Sequence, residues 1–162
     1  MPPDMSPIQI GTTGILGKDK FEIVGRQRIG YENGSWNEWY MLFQSGKDGW
    51  LADAQGFIMV SFEERDFKDF PPVNELIPGA AITVGKTIYT VDDVKQVTCK
   101  GSEGELPFKC IVGRKSTSID FRSSGSKFCN IDYTYDEKHL FVGKYIDIEE
   151  LKLENQRQVE GW

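Results

Sequence analysis

The amino-acid sequence nearly repeats itself after 68 residues, and this repeat limits what the chain can fold into. A forward shift of residues 1–80 by that distance places turn glycines and apolar residues on side chains of the same class, without a gap. The matched pairs are Gly17-Lys18 with Gly85-Lys86, Phe21 with Tyr89, Ile23 with Val91, Ile29 with Val97, Tyr40 with Phe108, Leu42 with Cys110 and Leu51 with Ile119. Because turn glycines and inward-facing residues define a β unit, the pattern predicts two similar antiparallel β-rich units packed together.

Short runs of β-branched and aromatic residues recur along both halves, separated by Gly, Asn, Asp and Ser. This punctuation is typical of an all-β protein of the small barrel or sandwich type. We expect a first β unit over residues 1–62, a charged, proline-containing connector over 63–78 and a second β unit over 79–153. Residues 154–162 would form a tail on one compact body. Within the second unit, residues 108–112 are expected to form a strand.

Charge and cysteine content exclude several classes of function. The formal net charge is −6, which argues against binding to a nucleic-acid backbone. Cys99, Cys110 and Cys129 form no C-x-x-C pair, so a zinc or thioredoxin-like site has no support. Three reduced cysteines are favoured, and one disulfide plus a free thiol is the alternative. Neither a secretion signal nor a membrane-spanning apolar run is found, so we expect a cytoplasmic protein that does not insert into membranes.

Three tryptophans cluster in the first half, beside one carboxylate. Trp36, Trp39 and Trp50 lie close together in sequence, with Glu38 and Tyr40 among them. One interpretation is a hairpin whose rings form the core of the first unit. Neighbouring strand residues point to opposite faces, so Trp39 and Tyr40 cannot share one. The other interpretation is therefore an aromatic platform beside an acid, suited to a cationic or flat ligand.

The segment Gly104-Glu105-Leu106-Pro107-Phe108 takes the matching place in the second half when the 68-residue shift is applied. One interpretation is an entry turn, since Pro107 is tolerated where a strand starts. The other pairs Glu38 with Glu105 across a pseudo-symmetric cleft, where two carboxylates would suit a cation or acid–base chemistry.

No residue pattern of a known catalytic or metal site is present. The acids Asp120, Asp132, Asp136 and Glu137 lack the spacing of a calcium loop and are expected to be solvated. His139 is the single histidine, without a serine or cysteine nucleophile motif before it, and is expected at a strand edge. The sequence therefore predicts no enzyme activity, no metal and no cofactor.

The motifs resemble a bacterial domain family of unknown function, the family numbered 4178. The resemblance runs from about Phe21 to Leu153 and rests on W-x-E-W/Y, G-W-L and G-E-L-P blocks. These blocks are Trp36-Asn37-Glu38-Trp39-Tyr40, Gly49-Trp50-Leu51 and Gly104-Glu105-Leu106-Pro107, with Ile119-Asp120 further on. Phe108 departs from the family pattern, which often has tryptophan there. The resemblance implies no established activity, and it implies genomic association with membrane-stress coat proteins, small multi-span membrane proteins and polyamine-synthesis enzymes.

These observations together predict a non-enzymatic binding or adaptor module in a bacterial envelope-stress or polyamine-linked system. The expected partner is another protein, including one associated with a membrane. The alternative is a small-molecule sensor or enzyme accessory that binds a polycation in an acidic, aromatic cleft. Candidate binding residues are Trp36, Glu38, Trp39, Tyr40, Trp50, Glu105, Pro107 and Asp120.

The acidic net charge generates a first prediction, that the protein does not retain DNA or RNA. Without a basic run, few counterions are released when the protein meets phosphates, and affinity has no electrostatic source. A mobility-shift assay near physiological salt checks it with duplex and single-stranded oligonucleotides. Salt-sensitive retention at micromolar protein would contradict the prediction.

Overall fold

A computed structural model describes residues 6–54, 56–134 and 137–158, and in these ranges the chain is built from strands. The described part contains no helix that is long and apolar enough to cross a membrane. Two short 3-10 turns, Val73–Glu75 and Ile148–Leu151, are also present. The strands are β1 Thr13–Leu16, β2 Asp19–Tyr31, β3 Gly34–Phe43, β4 Asp48–Ala54, β5 Phe57–Glu63, β6 Ala81–Val84, β7 Thr87–Gly104, β8 Lys115–Arg122, β9 Lys127–Tyr133 and β10 Lys138–Ile146.

Eight of the strands form a closed antiparallel ring. The order is β2-β3-β4-β5-β10-β9-β8-β7, and β7 pairs back onto β2 to close it. The four-residue strands β1 and β6 lie outside the ring and pair with β2 and β7. The all-β prediction is confirmed, and the architecture is a barrel with two additional strands rather than a sandwich.

The ungapped 68-residue register holds only for the first strands of each half. It carries β1 onto β6 and the start of β2 onto the start of β7. Beyond that point it is wrong, because residues 105–114 intervene between β7 and β8. Tyr40 lies in β3 whereas Phe108 lies in this connection, and Leu51 lies in β4 whereas Ile119 lies in β8. That the two halves are copies of one unit stays a prediction.

Residues 105–114, which we call the strap, replace the strand expected over residues 108–112. The chain leaves β7 at Gly104, which has a φ of +73°, and Pro107 follows within the strap. The strap folds back onto β7, where Gly113 N donates a hydrogen bond to Cys99 O. A proline and a left-handed glycine both interrupt a β ladder, which explains why this apolar stretch is not a strand.

Two hydrophobic clusters pack against one face of the ring, one on each half of the chain. The first is covered by Ile8 and Leu151 from the two ends of the chain, and the second by Leu76 from the 63–78 connector. Because these covering residues lie outside the ring strands, both clusters are on its outer face. The first cluster includes Phe21, Ile23, Trp39, Met41, Phe43, Leu51, Ile58 and Val60. The second includes Ile82, Tyr89, Val91, Ile119, Phe121, Cys129, Ile131, Tyr133 and Leu140.

The regions expected to be the connector and the tail lie mostly outside the ring strands. β5 ends at Glu63 and β6 begins at Ala81, so the connector region joins the two halves of the ring. Near the C-terminal end, Glu154 forms a β-bridge with Thr13 of β1. Residues 1–5 of the first unit and 159–162 of the tail lie outside the described residues. The division into two units stays a prediction.

The cysteines differ from the favoured expectation. Cys99 of β7 and Cys110 of the strap form a disulfide, and Cys129 is buried and free. Three reduced cysteines were therefore the wrong choice, and the alternative of one disulfide with a free thiol is found. The two partners meet because the strap turns back onto β7, which the sequence pattern does not reveal.

The burial of the tryptophans generates a second prediction. Trp39 is 1% exposed within the first cluster, whereas Trp36 is partly exposed on the other face. We expect Trp39→Ala to lower the free energy of unfolding by about 3–5 kcal/mol, because a core aromatic leaves a large cavity. Trp36→Ala is the matched control and should cost clearly less. Urea unfolding followed by circular dichroism measures both, and equal losses would contradict the assignment of faces.

Candidate functional site

The face of the ring opposite the hydrophobic clusters carries carboxylates that face one another. Glu38 is on β3, Asp120 on β8 and Asp132 on β9. The negative charges of Asp132 and Asp120 both raise the pKa of Glu38. Yet β9 is four strands from β3 in either direction around the ring. Charges act over short distances in proteins, so this coupling runs through the inside of the ring, which we call the lumen. The three side chains therefore point into the lumen.

The carboxylate of Glu38 is half-buried and is held by two neighbours. Burial is the main cause that raises its pKa, because the charged form loses hydration. Trp36 Nε1 donates a hydrogen bond to Oε2 at 3.1 Å, and Gln27 Nε2 donates to Oε1 at 2.7 Å. These two bonds lower the pKa but do not cancel the effect of burial. Glu38 is thus a held, oriented carboxylate that binds a proton more readily than an exposed glutamate.

Asp120 is also held by neighbours on the lumen side. Asn130 Nδ2 donates to its Oδ1 at 2.9 Å, and the Lys95 ammonium lies 3.6 Å from its Oδ2. Partial burial raises the pKa of Asp120 in spite of these contacts, although 45% of its side chain stays exposed. Lys95 also pairs with Asp93 and lies 5.6 Å from the centre of the Tyr31 ring. One ammonium group is therefore already accommodated between carboxylates and an aromatic face.

Asp132 is the least satisfied of the three acids. Burial raises its pKa, and a hydrogen bond with Ser116 opposes the rise. Its Oδ1 is buried without a hydrogen-bond partner in the described structure. A buried acceptor without a partner carries a free-energy cost, and a donor that reached it would recover that cost.

Aromatic rings line the same side of the barrel. Tyr40 pairs with Trp50 in the register of β3 and β4, and their ring centres are 5.0 Å apart. Phe108 of the strap stacks on Trp50 with centres 5.8 Å apart and an interplanar angle of 23°. Trp36 packs on Tyr31 at 5.5 Å. These rings give the lumen aromatic surface next to its carboxylates.

A charged network borders Tyr40. Tyr40 OH donates to Asp48 Oδ2 at 2.6 Å, and Arg65 Nη2 lies 3.1 Å from the same oxygen. Glu63 lies 3.6 Å from Arg65 and 2.8 Å from His139 Nδ1. Burial disfavours the charged imidazole, but Glu63 and Glu137 raise the pKa of His139 overall. The sequence, from which His139 was expected at a strand edge, does not reveal this network, because Glu63 lies 76 residues away.

The structure brings together some of the predicted site residues and separates others. Trp36, Glu38, Tyr40 and Trp50 share the inner face, and Asp120 faces them from β8. Trp39 is on the outer face, where it packs in the first cluster with Arg26 5.1 Å from its ring. Glu105 and Pro107 lie in the strap and not in a strand that matches β3.

The acids that act on Glu38 are Asp132 and Asp120, whereas the sequence suggested Glu105. Asp132 was expected to be solvated, on a strand over residues 128–133; the strand is present as β9, but Asp132 Oδ1 is buried. The strict alternation of residues 128–133 places Asn130 and Asp132 on one face, and this was the available signal. Asp136, of the same acidic group, lies outside the described residues.

The lumen offers carboxylates, hydrogen-bond acceptors and aromatic rings, which together favour cationic ligands. Among the described residues, no group of three or more His, Cys, Asp or Glu side chains is placed to hold a metal ion.

Comparison with known proteins identifies one family. The family model described as Domain of unknown function (DUF4178) matches residues 9–148, which include β1 to β10. No curated protein and no solved structure matches the chain.

The burial of Glu38 generates a third prediction. A folded-state pKa above the ordinary value of 4.5 means that ionised Glu38 destabilises the fold at neutral pH. Glu38→Gln should raise the melting temperature at pH 7.5 by about 2–4 °C, the shift that about 1 kcal/mol produces in a domain of this size. The gain should fade as the pH falls toward 4.5, because protonation removes the same charge.

Differential scanning fluorimetry across this pH range measures the gain. Glu22→Gln, at an exposed position of β2, is the matched control and should change the melting temperature little at any pH. A loss of stability in Glu38→Gln at neutral pH would contradict the prediction.

Proposed function

The chain belongs to the DUF4178 family, and from that premise we propose that its lumen binds a small organic cation with more than one amine. The single observation that supports this most is that Glu38, Asp120 and Asp132 all lie on the inner face of the ring, where the charges of the two aspartates act on Glu38. Burial raises the pKa of each of them, so the charged forms of these acids are disfavoured on the inner face. A protonated amine would relieve that cost by Coulomb attraction and hydrogen bonding. The protein would then be a binding module or sensor without catalytic chemistry.

The contacts of Lys95 support an ammonium ligand in particular. Its Nζ already lies among Asp93, Asp120 and the Tyr31 ring. The unpartnered Oδ1 of Asp132 and the carboxylate of Glu38 remain as acceptors further into the lumen. A ligand with amines at both ends of an alkyl chain would place one charge near each.

The aromatic rings support a flexible, partly apolar ligand. Trp36, Tyr40 and Trp50 provide surface on which methylene groups pack, and ring faces attract ammonium groups. Linear polyamines combine these properties. The genomic association with polyamine-synthesis enzymes, implied by the family resemblance, favours the same ligand class, and a cytoplasmic bacterial location is part of this proposal.

A second candidate function is the protein-binding adaptor. It is favoured by the exposed apolar side chains of the strap, Phe108, Ile111 and Val112, which are 47%, 51% and 71% exposed. Such a surface suits another protein, including a membrane-associated one. The two candidates place their contacts differently, since the adaptor uses the strap surface and the cation binder uses the lumen.

Titration with spermidine tests the proposed ligand class and is the fourth prediction. Intrinsic tryptophan fluorescence and isothermal calorimetry should show saturable binding at or below the low millimolar range. Glu38→Gln and Asp120→Asn should each weaken binding about tenfold, which corresponds to about 1.4 kcal/mol for the loss of one charge-assisted contact.

Glu22→Gln serves as the control, because Glu22 is exposed on β2 and should leave binding unchanged. Putrescine, with fewer charges, should bind more weakly than spermidine. No saturable change, or equal affinity in wild type and Glu38→Gln, would overturn the lumen as a polyamine site.

A further inference from the structure

The strap crosses one end of the lumen. Glu105 N donates to Val24 O at 2.7 Å, and the Glu105 carbonyl then lies against the face of Gly25. Gly25 pairs with Tyr40 in the register, so this is the lumen side of β2. Phe108 continues across to stack on Trp50 of β4. The strap therefore spans the distance from β2 to β4 over the inner face.

Glycines in the left-handed region stand at the two ends of the strap. Gly104 has a φ of +73° and Gly113 a φ of +88°, values that favour glycine over other residues. Between them, Ile111 and Val112 are exposed and add little packing that would hold the strap in place. Segments with few buried apolar contacts open at low free-energy cost.

Apart from its backbone connections to β7 and β8, the strap is joined to the ring by the Cys99–Cys110 disulfide. Cys99 is within β7, which pairs with both β2 and β8, so one sulfur is anchored in the ring. Cys129 is buried in the second cluster, and burial raises the pKa of its thiol to about 12. Cys129 is therefore a poor nucleophile for exchange with this disulfide.

We propose that the Cys99–Cys110 disulfide is a redox-controlled tether that holds the strap across the lumen, and that its reduction opens the lumen to ligands. A dithiol reductant attacks one sulfur as a thiolate and forms a mixed disulfide. That attack releases the first protein sulfur as a thiolate. The second thiolate of the reductant then attacks the reductant's own sulfur in the mixed disulfide, releases the second protein sulfur and closes the reductant's disulfide. Two electrons and two protons pass from the reductant to the protein. The effect on ligand entry depends on the proposed function, whereas the movement of the strap does not.

Hydrogen exchange tests the movement and gives the fifth prediction. Treatment with dithiothreitol should speed amide exchange in residues 105–113 by about tenfold or more, while β9 keeps its protection. Cys110→Ser should exchange fast with or without reductant. Cys129→Ser is the control for the third cysteine and should respond to reductant as the wild type does. Unchanged exchange in residues 105–113 after confirmed reduction would overturn the proposal.

Acrylamide quenching tests access without any assumption about the ligand. Phe108 covers Trp50, so reduction should increase the quenching of Trp50 fluorescence. The contribution of Trp50 is identified as the part of the signal that is missing in Trp50→Phe. If the strap loosens but this quenching does not rise, the strap does not close the lumen, and the proposal fails. If hydrogen exchange and quenching both increase but spermidine binds neither the oxidised nor the reduced protein, the proposed ligand is wrong and the proposal of a redox-controlled tether is retained. Faster spermidine association after reduction would support both.

Discussion

The structure depends on the hydrogen-bond ladders that join the first half of the chain to the second. The pairings of β2 with β7 and of β5 with β10 close the sheet into a ring. Without them each half would be an open sheet with its own hydrophobic cluster on one side. Closure of the ring turns the polar face inward. Only then does Glu38 from the first half of the chain share an inner surface with Asp120 and Asp132 from the second half. The lumen is thus a product of long-range pairing and not of either half alone.

The division of polarity between the two faces is the reverse of that in many small barrels, whose interiors are filled with apolar side chains. Here the apolar clusters are on the outer face and are covered by the chain ends, the connector and the two additional strands. The interior is left with acids whose pKa values are raised by burial and mutual repulsion. Proteins keep such groups at a cost in stability, and functional sites are where that cost is usually found.

The sequence predicted the kind of structure better than its register. Turn glycines and alternating runs were sufficient for an all-β chain, and alternation placed Trp39 and Tyr40 on opposite faces. The strap broke the match between halves, because a 68-residue shift cannot account for ten residues inserted between β7 and β8. For that reason Glu105 was matched to Glu38, although the acids that act on Glu38 come from β8 and β9. Which face of a strand is enclosed is decided by ring closure, and local pattern does not reveal it.

The placement of β1 and β6 outside the ring also affects how the molecule meets copies of itself. Every ring strand has a hydrogen-bonded neighbour on both sides over at least part of its length. The first and last strands of the sheet order have four residues each, and the border at β1 is further bridged by Glu154. Short, interrupted edges are poor templates for the edge-to-edge growth that leads to amyloid. The fold should therefore resist strand-mediated aggregation even though its strands are rich in aromatic and β-branched residues.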